Sequence, residues 1–172
     1  LVAYYPFNGN ANDESGNGND GKIKGATLTT DRHGKNGKAF NFDGVDDDIT
    51  LGNIDFGNPI TQYSYSFWMR HESLAEKKYA VYVITKQPYE TPIENWMFAF
   101  HLFGTLERDV GGAAHYGIIG GKWGGAGSGH KEAVPYFKPG INEWHHYTIS
   151  YDGANLQYFV DGNLYSSRAA TG

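Results

Sequence analysis

The densest concentration of oxygen-bearing side chains lies between Asn8 and Gly21, where Asn8, Asn10, Asn12, Asp13, Glu14, Asn17, Asn19 and Asp20 are separated by little else than glycine. Such a stretch suits Ca²⁺, which takes six to eight oxygens from carboxylates, amide carbonyls and backbone carbonyls. It is not an EF-hand: read from Asn8, the sixth position is Asp13 where that loop needs Gly, and the twelfth is Asn19 where it needs Glu. The same residues also form turns by bonding their own backbone, and composition alone leaves both readings open. Gly16, Gly18 and Gly21 spell G-x-G-x-x-G, but a dinucleotide site needs that pattern to open a helix inside a βαβ unit, and here Lys22-Ile23-Lys24 follows as a short strand.

Other catalytic spacings fail on inspection. His71-Glu72 lacks a second His four residues on, as a zinc-binding helix requires. His145 and His146 are adjacent on a strand pattern and point to opposite faces, so they do not chelate one ion together. Gly127-Ser128-Gly129 does not fit a nucleophile elbow. Asp46 and Asp48 have the i, i+2 spacing that puts two carboxylates on one strand face, while Glu72 and Glu76 fall in a loop or helical turn. The remaining carriers of function are aromatic. Trp123 sits in Gly120-Gly121-Lys122-Trp123-Gly124-Gly125, too glycine-rich for a core strand, and Tyr89 lies in Gln87-Pro88-Tyr89-Glu90. With Lys122, His130 and Asn95 as polar companions, they are the candidate ligand-binding set. Sugar rings pack their C–H faces on such rings while their hydroxyls seek polar groups.

These residues must be carried by strands. The chain has 172 residues, the size of one domain, with 16% aromatics and 24 Gly, about twice the usual glycine share. Period-two alternation recurs in Tyr63–Met69 and Trp144–Tyr151. Further strands are expected at Leu1–Phe7, Lys38–Phe42, Asp48–Leu51, Ala80–Thr85, Trp96–Phe103, His115–Ile119, Ala133–Phe137 and Leu156–Val160, with one helical turn at Ser73–Lys77. Asp152-Gly153 and Asp161-Gly162 are two-residue hairpin signals. The expected class is all-β, an antiparallel sandwich or jelly roll.

A net charge of −5 argues against nucleic acid, since phosphate binding needs clustered Lys and Arg. No apolar run reaches the length of a membrane span. Without Cys there is neither a disulfide framework nor a thiolate metal site. The start at Leu1, without Met or a signal-peptide pattern, reads as a mature or excised piece of a longer protein.

Five segments in order resemble laminin-G-like, concanavalin A-like jelly-roll domains. They are Tyr4-Tyr5-Pro6-Phe7-Asn8-Gly9-Asn10 with Asp13–Gly21, Gly37–Asp47, Ser64–Met69, Trp144-His145-His146-Tyr147, and Tyr151-Asp152-Gly153 leading into Tyr158–Gly162. The resemblance implies a single domain over 1–172 that lacks its usual C-terminal closing strand. It implies a structural Ca²⁺ in the first loop, matched at Asn8 and Asp13, with Asn17 added as a third candidate. It places Trp68 and Trp144 in the core and His146 packed within the sheet. Related glucanases carry Glu-x-Asp-x-x-Glu on one strand, and no such triplet occurs here. The expected function is therefore a non-catalytic, lectin-like module of a secreted or cell-surface protein, binding a polysaccharide or glycoconjugate. The alternatives are an adhesion or self-assembly domain that exchanges strands with other copies, and, less favoured, a glycoside hydrolase.

Overall fold

The computed structural model describes residues 1–52, 54, 62–72, 81–86, 98–103, 115–120, 132–133 and 140–169. Among them every element is a strand, every pairing is antiparallel, and no helix is long and apolar enough to cross a membrane. The chain divides into two compact units, Leu1–Pro59 and Ile60–Gly172.

The first unit holds two small ribbons. β1 (Lys22–Lys24) pairs with β4 (Asp48–Thr50), and β2 (Thr27–Thr29) with β3 (Ala39–Asn41). The expected strand Leu1–Phe7 is not one. Its backbone polar groups are claimed by the Asx-rich loop: Tyr4 N–H donates to Asp13 Oδ1, Tyr4 C=O accepts from Glu14 N–H, and Val2 C=O accepts from the side-chain amides of Asn17 and Asn19. A segment whose donors and acceptors are satisfied by the side chains and backbone of a neighbouring loop has no row left to offer a ladder. Phe7 closes it in the left-handed region, at φ 53°, packed edge-on against Phe40 at 5.0 Å.

The second unit contains two four-stranded sheets. One runs in the order β12 (Asn163–Ala169), β11 (Asn155–Val160), β10 (Trp144–Tyr151), β5 (Tyr63–Arg70). The other runs β6 (Val81–Lys86), β7 (Phe98–Phe103), β8 (His115–Gly120), β9 (Glu132–Ala133). β9 lies beside β11 and β12, and Val83 of β6 packs on the core of the first sheet.

That core follows from the alternation. Tyr147, Ile149 and Tyr151 on β10, with Leu156, Tyr158 and Val160 on β11, are buried, and Tyr63, Tyr65, Phe67 and Met69 of β5 pack against them. Burying each such side chain contributes about 1.5–3 kcal/mol. The register Tyr147↔Phe67, Ile149↔Tyr65 and Tyr151↔Tyr63 keeps the whole set on one face. Burial pushes the Tyr65 hydroxyl well above its ordinary range, and pushes that of Tyr63 up to about 12 with help from neighbouring Tyr151.

The hairpin at Asp161-Gly162 is as expected: Val160 pairs with Asn163, and the two turn residues take φ of 49° and 79°. Asp152-Gly153 differs. Tyr151 pairs with Leu156, and the longer turn is held by Asp152 Oδ1, which accepts the N–H groups of Ala154 and Asn155. β2 and β12 were not expected. The first is three residues long, and in the second a register shift opposite Tyr158/Phe159 breaks the period-two pattern. The helical turn expected at Ser73–Lys77 lies outside the described residues.

Candidate functional site

In the first unit, Asp13 is the hub of the Asx-rich loop. Its Oδ1 accepts the N–H groups of Tyr4 and Ser15, each at 2.9 Å. Its Oδ2 accepts the Ser15 hydroxyl at 2.9 Å and the Asn19 N–H at 3.0 Å. Burial alone would raise this carboxyl, but the bonds from Tyr4, Ser15 and Asn19 outweigh it and hold the group well below the usual carboxylate range. Asp20 Oδ1 in turn accepts the Asp13 N–H at 2.8 Å.

The sequence-expected metal residues thus share one loop, in which both Asp13 oxygens are already engaged. Asn17 turns its amide nitrogen to the carbonyls of Leu1 and Val2, at 3.0 and 2.9 Å, an arrangement only the N–H₂ side can make. Asn8 reaches Glu14 Oε1 through its nitrogen at 3.5 Å. A cation on Asp13 would have to displace N–H donors from both oxygens.

A second group of oxygens in the same unit has the donor set of a hard-cation site. Asp43, Asp46 and Asp47 each offer a carboxylate oxygen within 4.8 Å of the others, and three such oxygens can hold a divalent ion. Asp47 Oδ2 accepts the Asp43 N–H at 2.9 Å and Asp43 Oδ1 accepts the Val45 N–H at 2.8 Å, which fixes the turn. Gly25, at φ 78°, leaves the room in which Asp47 sits, because a side chain there would meet its carboxylate. Lys24 Nζ lies 3.7 Å from Asp46 Oδ2 and partly balances the charge. Sequence reasoning weighed Asp46 as half of a carboxylate pair and met Asp43-Gly44-Val45-Asp46-Asp47 as a unit only through the resemblance; the signal was three acids in five positions around a glycine turn.

In the second unit, the face of the β5–β10–β11–β12 sheet opposite the core is built from the alternate residues. The register sets Trp68 beside His146, Ser66 beside Thr148 and Phe159, and Ser64 beside Ser150 and Gln157. Trp68, expected in the core, is 43% exposed on this outer face. Its place follows from strand parity: Phe67 and Met69 point inward, so Trp68 points out. Trp68 and His146 stack with ring centroids 5.0 Å apart and planes 27° apart. At the same end of the sheet, the Arg70 guanidinium lies 5.5 Å over the Trp144 ring and bonds Glu72 Oε1 at 2.9 Å.

His146 is anchored by the hairpin turn. Asp161 Oδ1 accepts the His146 N–H at 2.8 Å, the Asp161 N–H donates to the His146 carbonyl at 2.8 Å, and Asp161 Oδ2 lies 2.7 Å from His145 Nδ1. Burial would raise the Asp161 carboxyl, yet the bonds to His145 and His146 bring it below its ordinary value. Four residues along β5 from Trp68, a shallow cavity of about 320 Å³ is lined by Gln62, Tyr63, Ser64, Ser150, Tyr151 and Asp152. Trp123, Tyr89, Lys122, His130 and Asn95 lie outside the described residues.

Compared with solved structures, the whole chain (100%) aligns with 76% of domain 4 of AbnA, a GH43 extracellular arabinanase from Geobacillus stearothermophilus, determined in complex with arabinotriose, at a TM-score of 0.63 and 19% identity. At that identity the likeness concerns the fold, an antiparallel β-sandwich, and the relative is one domain of an enzyme. No curated protein matches the chain significantly. A laminin-G-type family, described as the concanavalin A-like lectin/glucanases superfamily, matches residues 43–172, which include the acidic turn and all strands of the second unit. The chain belongs to this concanavalin A-like lectin/glucanase family.

Proposed function

We propose that this domain is a non-catalytic carbohydrate-binding module of an extracellular protein. The observation that carries the reading is the fold it shares with an arabinanase domain seen with a bound arabinotriose. Support comes from the sequence, which lacks the paired carboxylates of a glucanase strand, and from exposed aromatic and hydroxyl side chains set side by side on one sheet. Trp123, Tyr89, Lys122, His130 and Asn95 are the loop residues proposed to touch the glycan.

Calcium is proposed as a structural ion of the first unit. The Asp43, Asp46 and Asp47 turn has the better donor set; of Asn8, Asp13 and Asn17, Asp13 would serve only after exchanging its present bonds. The ion would supply a positive centre that holds like-charged carboxylates together. The test of function is a glycan array that includes arabino-, xylo- and gluco-oligosaccharides. Retention of a defined glycan is the expected result; silence across the array overturns the reading.

A further inference from the structure

Two features of the second unit occupy one surface. Trp68, with His146 stacked against it, stands at one end of the outer sheet face, and the cavity around Ser64 and Ser150 lies toward the other end. Four strand residues separate Ser64 from Trp68, about 13 Å. Between them the face carries Ser66 and Thr148, neutral hydroxyls in register. In the cavity, Ser64 Oγ and Ser150 Oγ lie 2.8 Å apart in a hydrogen bond, and Gln62 Nε2 donates to the Asp152 carbonyl at 3.0 Å. A hydroxyl has one donor and two acceptor positions, so a bonded pair of serines keeps hydrogen-bonding capacity for a ligand.

The charges select the ligand class. The described charged side chains near this strip stand at its ends, Arg70 with Glu72 and the hairpin carboxylate Asp161 at the Trp68 end and Asp152 beside the cavity. Arg70 is committed to Glu72 and to the Trp144 ring, so the described side chains of this strip offer no cation row for a phosphate or a polyanionic glycan. An apolar peptide would need a groove lined by aliphatic side chains, whereas Ser64, Ser66, Thr148 and Ser150 line this one. A flat ring followed by hydroxyl groups fits a neutral saccharide, which has C–H faces to stack and hydroxyls to bond.

We propose that the outer face of the β5–β10 pair is a binding surface for a neutral oligosaccharide, one sugar stacking on the Trp68 ring, which His146 backs, and a further unit of the same glycan entering the Ser64–Ser150 cavity. This deepens the carbohydrate-binding reading and rests on it, adding the sheet face to the loop residues named above. It makes the hairpin carboxylate Asp161 a positioning residue, since it fixes the backbone that carries His146.

The experiment is calorimetric titration of the protein with arabinotriose and with each glycan retained on the array, for the native protein, Trp68→Ala, Ser66→Arg and the control Ile141→Ser. Melting curves confirm that each variant is folded. Trp68→Ala should weaken binding roughly tenfold or more, as loss of a central aromatic contact does. Ser66→Arg, an exposed position between platform and cavity, should block the strip without touching the core, and Ile141→Ser should bind as the native protein does. Binding by the native protein that survives both Trp68→Ala and Ser66→Arg overturns the proposal while leaving the carbohydrate reading intact. No binding by the native protein to any glycan overturns the reading and this proposal with it.

Discussion

Asp13 Oδ1 accepts the backbone N–H of Tyr4 at 2.9 Å, and this bond ties the N-terminal segment to the Asx-rich loop. The same carboxylate accepts from Ser15 and Asn19, so a single side chain sets the conformation of two stretches of backbone. In Asp13→Ala, the amides of Tyr4, Ser15 and Asn19 should lose hydrogen-exchange protection by about tenfold or more, with a lower Tm. Unchanged protection would show that the loop is held by other bonds. Because the folded carboxyl titrates below its unfolded value, its contribution is present above about pH 4 and is lost as acid protonates it below that point.

His71 gives the opposite end of the acid range. It is buried, 3.5 Å from the Tyr147 hydroxyl, and burial, reinforced by nearby His145, pushes its pKa down to about 4. The unfolded imidazole takes its proton near pH 6.5. Between those values the unfolded chain binds more protons, so stability should fall as pH drops from about 6.5 to about 4, by on the order of 3 kcal/mol at most. Denaturant unfolding across this range measures it. His71→Gln should flatten the slope; a slope that persists in the variant assigns it elsewhere.

Divalent ions distinguish the two candidate metal sets. If Ca²⁺ occupies the Asp43–Asp47 turn, chelator should lower the Tm, since a ligand at a hundredfold its Kd stabilises the native state by about 2.7 kcal/mol. The D43N/D46N/D47N variant should then lose the chelator effect while Asp13→Ala keeps it. Retention of the effect in the triple variant would move the ion to another site.

Gly25→Ala tests the same turn without removing a charge. The residue lies at φ 78° and an added methyl would run into the Asp47 carboxylate. A cost of about 1–3 kcal/mol is expected, and any response of the Tm to Ca²⁺ should shrink with it. A variant as stable as the native protein would show that the turn relaxes freely.

Ile149→Ala probes the sheet core. Ile149 is fully buried between Tyr65 and Tyr158 in register, so the truncation should cost about 2–5 kcal/mol in denaturant unfolding. A cost below 1 kcal/mol would place the core elsewhere.

Much of this architecture was legible in the sequence because one rule governs it. Where strands run straight, as in Tyr63–Arg70 and Trp144–Tyr151, alternation assigns every side chain to a face, and the buried set follows. The same rule applied strictly would have placed Trp68 outside with Ser64 and Ser66. The resemblance to core positions concealed it. Leu1–Phe7 was misread because apolar residues in an extended segment look like a strand whether their backbone bonds to a neighbour strand or to Asn and Asp side chains, and that choice depends on Asp13, Asn17 and Asn19. The acids Asp43, Asp46 and Asp47 are a local pattern, but the room Asp47 occupies is left by Gly25, a contact between separate segments that the pattern does not encode.

The slip in pairing where β12 passes Tyr158 and Phe159 has a bearing on assembly. On that outermost strand, Leu164 faces Phe159 and Ser167 faces Gln157, three steps of one chain against two of the other. A border that coils away in this manner offers a docking molecule only short lengths of straight backbone. Lateral pairing of copies through this strand into a continuous ribbon is thereby discouraged.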